Sequence, residues 1–279
     1  MSDEFTQHQQ QLWDAIADDW SNHFNRHAVA FRPVTDWILA ATALAPGKRV
    51  LDIACGMGIP AIQAATCVQP GGVVVATDLS AEMLRVTGVR AREMGVTNIE
   101  LAQMDAHNLT CADNMFDAVT CAFGLMFCTS PLRVLKQVHR VLKPGGRFAL
   151  TTWAPPSENS FIALYGRAIT TVLTLPRHDR GAPGPFRLSD PGELSAMCNA
   201  AGFQQLEVAA RSHAVTYESV AAYQQASQAL TPGLTDRLRE LSTEDTARLR
   251  GLVHEGAAPY LHSDILHLTA TPVYVAGRR

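Results

Sequence analysis

The sequence lacks the features that mark membrane, metal-bound and nucleic-acid-binding proteins. No stretch reaches the roughly 18 consecutive apolar residues that a membrane helix needs, and residues 1–11 are polar rather than signal-like. The six cysteines form no CxxC pair and no cluster with histidine at zinc-ligand spacing. The formal net charge is only −3, so no basic face is indicated. We therefore expect a cytoplasmic protein without membrane insertion, nucleic-acid partner or bound metal.

Between residues 50 and 153, apolar runs typical of strands alternate with stretches typical of helices. The strands are expected at Arg49–Ala54, Val73–Thr77, Asn98–Met104, Phe116–Phe123 and Arg147–Trp153. Because these runs are almost continuously apolar and alternate with helices, they predict a parallel sheet with helices on both faces. With 279 residues, the chain can bury one α/β core and a few additional helices.

Local signals place further element boundaries. Ser80 is predicted to cap the helix after the second strand, and Ser130 with Pro131 to cap and begin the helix after the fourth. The runs Phe203–Arg211 and Ile265–Ala276 are expected to be the last two strands, each as one continuous element.

The glycine turn after the first strand carries the most information. Gly56 and Gly58 stand in a G-x-G-x-x-A pattern and lack side chains, so a ligand can approach the backbone closely. With Asp78 lying 22 residues beyond Gly56, the pattern also fits a dinucleotide fingerprint, and a nicotinamide-dependent oxidoreductase is an alternative. Asp52 argues against it, because a carboxylate there would repel a pyrophosphate but would suit an ammonium and a sulfonium group.

Five segments occur together and in a defined order. They are VLDIACGMG at 50–58, VVATDLSAEML at 74–84, MDAHNLTCADNMFDAV at 104–119, AFGLMF at 122–127 and RVLKPGGRFALTTW at 140–153. In these segments, which cover about residues 45–155, the chain resembles class I S-adenosylmethionine-dependent methyltransferases. The resemblance is strongest to the branch of ubiquinone/menaquinone-biosynthesis C-methyltransferases and natural-product methyltransferases.

The resemblance implies a Rossmann-like, mostly parallel sheet of seven strands in the order 3-2-1-4-5-7-6, with the last strand antiparallel. Helices would cover both faces. The division expected is an N-terminal helical lid over residues 1–45 and a methyltransferase domain over 46–279. Within that domain, 46–155 would hold the cofactor, 156–262 would supply a helical insert and the acceptor-side elements, and 263–279 the last strand.

The resemblance also implies S-adenosylmethionine as cofactor and S-adenosylhomocysteine as product. Asp52 is expected to hold the amino-acid part of the cofactor, Asp78 its ribose hydroxyls, and Asp105 with Ala106 its adenine edge. Family members often have a threonine at the position of Met57, so a hydroxyl contact is lost there. The full cofactor set expected is Trp20, Asp52, Ala54, Gly56, Met57, Gly58, Asp78, Leu79, Met83, Asp105, Ala106 and Ala122.

The acceptor is expected beyond the carboxyl ends of the strands, in an apolar pocket. The expected lining is Phe24, Phe31, Leu125, Met126, Phe127 and Trp153. Of these, Phe24, Met126, Phe127 and Trp153 are the candidate contacts, although the same side chains also suit a core. They favour a small hydrophobic or aromatic substrate, such as a natural product or a quinone-like molecule. A relative that binds the cofactor without transferring methyl is a further alternative.

No general base is identified from the sequence. His23 and His27 are the candidates because they flank the expected lid. The helical segment 218–258 has no assigned role, and it either completes the acceptor pocket or forms the face of a homodimer.

No carboxylate set in the sequence resembles a dedicated magnesium site. We therefore predict that methyl transfer survives chelation. Activity measured with excess EDTA should equal activity without it, and a loss restored by added Mg²⁺ would contradict a metal-free reaction.

Overall fold

The computed structural model describes residues 2–175, 181–229 and 233–279. Its helices are α1 Ser2–Asn22, α2 Phe24–Ala30, α3 Arg32–Thr42, α4 Ala61–Cys67, α5 Ala81–Glu93, α6 Pro131–Val141, α7 Ser160–Val172, α8 Pro191–Ala200, α9 Val220–Ala229, α10 Thr235–Arg239 and α11 Thr243–Ala257. Within these ranges, no helix combines the length and the hydropathy that crossing a membrane requires.

Ten strands occur in the described ranges. They are β1 Arg49–Ile53, β2 Val73–Asp78, β3 Ile99–Gln103, β4 Phe116–Ala122, β5 Leu142–Trp153, β6 Gln204–Ala210, β7 His213–Tyr217, β8 Leu261–His262, β9 Ile265–Ala270 and β10 Pro272–Arg278.

Seven of these strands form the central sheet, in the order β3-β2-β1-β4-β5-β10-β6. β10 runs antiparallel to both β5 and β6, whereas the pairs from β3 to β5 are parallel. With β6 and β10 as the sixth and seventh strands of the sheet, the expected order and the expected fold class are confirmed. The parallel pairing brings the carboxyl ends of β1 to β4 to one edge, where ligands bind in such sheets.

The helix starts show one confirmed cap and one correction. Ser80 Oγ accepts a hydrogen bond from the Met83 amide at 3.0 Å, as expected for the start of α5. Ser130 makes no side-chain capping bond at the start of α6, although Pro131 does occupy the first turn. The Ser130 amide instead donates to Nε2 of His107 at 3.1 Å, so a side chain from a different loop takes over the capping role.

A second, smaller sheet was not predicted. β7, β8 and β9 form an antiparallel sheet in the order β7-β9-β8. Inward-facing Val215 and Tyr217 of β7 are buried, and the alternate positions Ala214 and Thr216 are exposed. This alternation is the period-2 signal of a strand with one buried face, but over five residues it is short enough to be overlooked.

The expected single strand Ile265–Ala276 is wrong, because the chain changes sheets at Thr271. β9 belongs to the small sheet and β10 to the large one. Pro272 has no N–H with which to continue the β9 ladder. At this break, the buried side chain of Asn159 forms hydrogen bonds with the backbone instead. Its Oδ1 accepts from the Thr271 amide at 2.7 Å, and its Nδ2 donates to the Ala154 carbonyl at 2.7 Å.

The insert after β5 packs into one core with the small sheet. Helix α7 contacts α11 and β9, and the buried side chains there include Tyr165, Tyr223 and Leu266. The expectation that residues 218–258 are helical throughout is partly correct, because they form α9, α10 and α11 with non-helical residues between α10 and α11.

Replacing Asn159 with alanine should destabilise the protein by about 2 kcal/mol, because the buried Thr271 N–H and Ala154 carbonyl lose their hydrogen-bond partner. Chemical denaturation measures this loss. Asn199→Ala is the matched control, because Asn199 is exposed near the end of α8 and its replacement should change stability by less than about 0.5 kcal/mol. Equal stability of the two variants would contradict the role given to Asn159.

Candidate cofactor and acceptor site

The three predicted carboxylates lie at one edge of the sheet. Asp52 lies in β1, Asp78 ends β2, and Asp105 follows β3 by two residues. β1 lies between β2 and β4, and the register pairs Asp52 with Ala76 of β2 and with Thr120 of β4. The parallel strand order thus brings the carboxyl ends of β1, β2 and β3, with these three acids, to one edge of the sheet.

Asp52 is a buried carboxylate with one hydrogen-bonded and one unbonded oxygen. Its side chain is fully buried, and Oδ1 accepts from Thr120 Oγ1 at 2.5 Å. Among the described residues, Oδ2 has no hydrogen-bond partner. Burial is the main cause that raises the pKa of Asp52; the Thr120 hydroxyl opposes the rise, the Asp78 charge adds to it, and the net pKa is about 7. A buried, half-paired carboxylate is costly unless a cation or donor compensates it, so the site suits an ammonium group.

The glycine loop leaves room beside this carboxylate. Gly56 has a φ of +51°, and a Cβ built on it would meet no atom within 4 Å. The loop therefore opens at Gly56, whereas at Gly58 a Cβ would approach Ile62 to 2.8 Å and close packing explains the glycine. The orphaned oxygen of Asp52 and the open side of Gly56 together fit the amino-acid part of S-adenosylmethionine.

Asp78 joins the glycine loop to α5. Its Oδ2 accepts from the Gly56 amide at 2.8 Å and its Oδ1 from the Ser80 amide at 2.9 Å. Burial raises the pKa of Asp78, and these backbone hydrogen bonds lower it in part. Each carboxylate oxygen can accept more than one hydrogen bond, so Asp78 retains the capacity to take a ribose diol.

Helix α1 covers this edge of the sheet. Asp14 Oδ1 accepts from Ser80 Oγ at 2.5 Å and from the Glu82 amide at 3.2 Å, so α1 binds the first turn of α5. Beneath α1, Met57 and Met83 are buried together with Ile16, and Trp13 and Trp20 pack against them. Sequence reasoning placed Trp20, Met57 and Met83 here but missed Asp14, which no local pattern identifies. Leu79, at the start of the same turn, is half-buried.

Asp105 is held by its neighbour His107. Oδ1 of Asp105 accepts from the His107 amide at 2.9 Å and lies 2.7 Å from His107 Nδ1. The hydrogen bond from the ring lowers the pKa of Asp105, partial burial acts in the opposite direction, and the net shift is downward. Ala106 begins the 3-10 turn that follows, where the first amide has no acceptor within the turn. An ionised carboxylate beside a free N–H suits the donor and acceptor edge of adenine.

An aromatic cluster lies at the ends of β4 and β5, where the acceptor was expected. Phe123 stacks on Trp153 with ring centroids 4.0 Å apart, and Phe31 meets both rings edge-on at 5.6–5.8 Å. Phe161 and His213 complete what we call the aromatic cluster, each with its ring centroid within 6 Å of Phe31. Phe31 and Trp153 were predicted from the sequence to line this pocket, whereas Phe123, Phe161 and His213 were not.

His213 stands out in this cluster. Its Nε2 is buried and has no hydrogen-bond partner among the described residues. Burial lowers the pKa of His213, and a hydrogen bond to the backbone of Ala30 opposes that change. The ring is therefore a neutral imidazole with a free acceptor nitrogen in an apolar environment. The alternation of β7 was the only signal in the sequence that could have found it.

The remaining predicted residues have different surroundings. Met126 is buried in the core, and Phe127 meets Trp13 edge-on at 5.2 Å. The Nδ1 of His23 bonds the Asp19 carbonyl at 2.9 Å, and His23 lines a polar cleft of about 260 Å³ with Arg26 and Glu218. The side chains of Phe24 and His27 lie outside the described residues.

In the ranges that the structure describes, no three His, Cys, Asp or Glu side chains form a metal-binding group.

The strand order and the carboxylates at its edge define a class I methyltransferase fold. A model of the ubiE/COQ5 methyltransferase family matches residues 11–174, and the chain belongs to this family. Its membership confirms the predicted family, and the nicotinamide-dependent alternative is not favoured.

Individual relatives agree with this assignment. The chain is 33% identical over 150 residues to demethylmenaquinone methyltransferase of Geobacillus kaustophilus, covering 52% of this chain and 64% of that relative. It is 30% identical over 185 residues to nocamycin O-methyltransferase of Saccharothrix syringae, covering 63% of this chain and 66% of that relative. The match to the first relative thus spans less than two thirds of its length.

Solved structures show the same fold at low identity. The YcgJ protein of Bacillus subtilis is 21% identical and superposes with a TM-score of 0.60, over 88% of this chain and 97% of that one. The [4+2]-cyclase SpnF is 21% identical with a TM-score of 0.53, over 88% of this chain and 79% of that one. The fold is therefore found in a protein named for cyclisation as well as in methyltransferases.

Asp52→Asn should stabilise the free protein at alkaline pH and weaken binding of S-adenosylhomocysteine. Because the folded pKa is raised from 3.8 to about 7, the folded state binds the proton more tightly, and stability falls as pH rises between these values. Relative to the variant, the wild type should lose roughly 2–3 kcal/mol between pH 5 and pH 8.

Denaturation at both pH values and calorimetry with S-adenosylhomocysteine measure these effects. Asp117→Asn is the matched control of opposite sign. Burial alone would raise the pKa of Asp117, but the Arg49 amide, Lys143 and Lys48 lower it overall, so this variant should be less stable than the wild type at pH 8. An Asp52→Asn protein less stable than the wild type at pH 8 would show that its carboxylate is not strained in the free protein.

Proposed function

We propose that this protein transfers a methyl group from S-adenosylmethionine to a small hydroxylated aromatic molecule of quinol or natural-product type. The observation that carries the proposal is the aromatic cluster beside the cofactor loop. Flat aromatic side chains around one unpartnered acceptor nitrogen suit a flat, apolar molecule that carries a hydroxyl group.

The cluster is close to the cofactor loop because of two contacts. A Cβ built on Gly124 would lie 2.5 Å from the Cβ of Ala54, so the β4 end packs directly on the loop after β1. Phe123 precedes Gly124, has a φ of +58°, and its amide donates to the Thr151 carbonyl at 3.1 Å. The loop contact and the stacked rings therefore involve consecutive residues, and Ala122 lies at the same end of β4.

The relatives support this acceptor class without identifying the substrate. Among them are a demethylmenaquinone methyltransferase and a nocamycin O-methyltransferase, whose names indicate a quinone-type and a natural-product acceptor. A third relative, the 2-phytyl-1,4-naphtoquinone methyltransferase of Synechococcus elongatus, also has a quinone in its name. These names refer to those proteins. For this chain, the proposal of an aromatic acceptor depends on the residues of the aromatic cluster.

The residues of the site would contribute positioning, exclusion of water and proton acceptance. Bound S-adenosylmethionine supplies a methyl group on a positively charged sulfur. Asp52, the glycine loop and Asp78 would hold the donor in place at the sheet edge, and the cluster would align the acceptor oxygen or carbon behind the methyl group. The closed packing of α1 would keep water out. This role of α1 is our proposal for the N-terminal lid of residues 1–45.

Proton removal would fall to His213. As the acceptor–methyl bond forms and the methyl–sulfur bond breaks, the hydroxyl proton would pass to Nε2 of His213, leaving a neutral thioether and an imidazolium. His23 remains a candidate, but its cleft is polar and is formed by α1, α2 and α9 rather than by the aromatic cluster. The imidazole of His213 is the better placed of the two.

A labelled-methyl transfer assay tests the acceptor class. With labelled S-adenosylmethionine, we expect methylated product from naphthols, phenols and reduced naphthoquinones, and none from amines or sugars, with product mass and NMR locating the methyl group. His213→Gln should lower kcat about 100-fold and leave S-adenosylhomocysteine affinity unchanged, and His254→Gln on α11 is the control.

Other outcomes separate the alternatives. Label transferred only to amines or sugars would overturn the aromatic acceptor. Binding of S-adenosylhomocysteine with no transfer to any compound would favour a relative that binds the cofactor without methylating. The expected homodimer stays a prediction, for which sedimentation velocity gives the mass.

A further inference from the structure

One histidine connects the adenine side of the site to the next helix. The ring of His107 lies between the Asp105 carboxylate and the loop that begins α6, with only 13% of its side chain exposed. Nδ1 lies 2.7 Å from Asp105 Oδ1, while Nε2 lies 3.1 Å from both the Ser130 amide and Thr129 Oγ1. Both ring nitrogens are therefore used, which is uncommon for a surface histidine.

The partners of His107 fix its protonation state. The Ser130 amide can only donate a hydrogen bond, so Nε2 must be the unprotonated nitrogen. The ionised carboxylate of Asp105 can only accept, so Nδ1 must carry the proton. The ring is thus the neutral Nδ1–H tautomer, oriented by one donor and one acceptor that cannot exchange roles.

The loop that receives this ring is itself held firmly. Arg187 donates hydrogen bonds to the carbonyls of Cys128 and Thr129. The Arg133 guanidinium donates to the His107 carbonyl at 2.9 Å. His107 is therefore bonded to a fixed support, and its ring can transmit that rigidity to Asp105.

Asp105 needs such support, because 35% of its side chain is exposed and a free aspartate there would rotate. In the part of the chain that the structure describes, both hydrogen bonds to the Asp105 side chain fall on Oδ1, which leaves Oδ2 as the oxygen open to a ligand. An oxygen held in one position accepts from the exocyclic amine of adenine and repels the carbonyl oxygen of hypoxanthine.

We propose that His107 is a positioning residue for base specificity, which holds the Asp105 carboxylate so that Oδ2 selects adenine over hypoxanthine. The inference rests on the cofactor role proposed for Asp105 and adds a residue that acts through it. It also implies that the bridge from His107 to Ser130 supports recognition as well as the start of α6.

Calorimetry with S-adenosylhomocysteine and S-inosylhomocysteine tests the proposal. The wild type should prefer the adenosyl compound by at least about 30-fold, consistent with an unpaired polar group at the base edge. In His107→Ala the adenosyl affinity should fall about tenfold and the preference should shrink below about threefold. Asp105→Asn should lose the preference too, because an amide can present a donor to hypoxanthine.

Two conservative variants separate positioning from capping. Asparagine can place an N–H where Nδ1 lies, so His107→Asn should keep most of the adenine preference although its contact with Ser130 is lost. Glutamine reaches the position of Nε2 instead, so His107→Gln should keep the cap of α6 but lose the preference. His262→Asn, at an exposed position in β8, is the control and should match the wild type, and thermal denaturation checks that all variants fold.

The outcomes are distinct for each hypothesis. A His107→Ala protein with wild-type preference, or a preference rescued by glutamine and not by asparagine, would overturn the positioning role while leaving the proposed function intact. A wild type that binds neither nucleoside would overturn the proposed function and this inference together.

Discussion

The site depends on a carboxylate that the fold buries without fully pairing it. Asp52 lies inside the sheet edge because β1 is the central strand of the parallel half, with β2 on one side and β4 on the other. Desolvating an acid in this position costs free energy that a single hydroxyl, that of Thr120, offsets only in part. A protein retains such an arrangement when a ligand supplies the missing charge, and the ammonium group of an amino acid is one that fits.

Hydrogen bonds at the same edge of the sheet hold the other parts of the site together. Asp78 uses its oxygens to bind the glycine loop to α5, so the loop conformation and the second carboxylate depend on one another. Asp14 then binds α1 to the same turn of α5. Helix α1 is therefore bonded to the same turn that Asp78 joins to the glycine loop. It is not held by the helical insert alone.

The parts of the molecule that could be predicted from the sequence are those encoded by neighbouring residues. Asp52, Asp78 and the Ser80 cap each lie within a few residues of the strand end or helix start that gives them meaning. The strand order followed because parallel strands and their crossovers restrict the topology. Asp105 and Ala106 were predicted from their place after the expected third strand, and Asp105 follows β3 by two residues.

Contacts between distant segments could not be predicted. The capping of α6 by His107 joins loops 22 or more residues apart, and Ser130 with Pro131 gives a complete local signal for a cap that the structure makes differently. His213 joins the aromatic cluster only after β7 pairs with β9, a pairing that spans more than fifty residues. At Thr271, strand propensity is continuous, and the break arises from the side chain of Asn159, over a hundred residues away.

That break has a consequence for how such proteins diversify. Two short connections join the large and small sheets: residues 211–212 between β6 and β7, and Thr271 between β9 and β10. The backbone of Thr271 is clamped by Asn159 at the start of α7, and Ser212 Oγ lies 2.9 Å from Thr271 Oγ1, so the two connections are adjacent. A small sheet attached at one place can be remodelled while the large sheet keeps its register. The family model ends at residue 174, just past α7 and before β7 and β9. Under the proposed function, sequence drift in the small sheet would change the accepted molecule at little cost to the donor site.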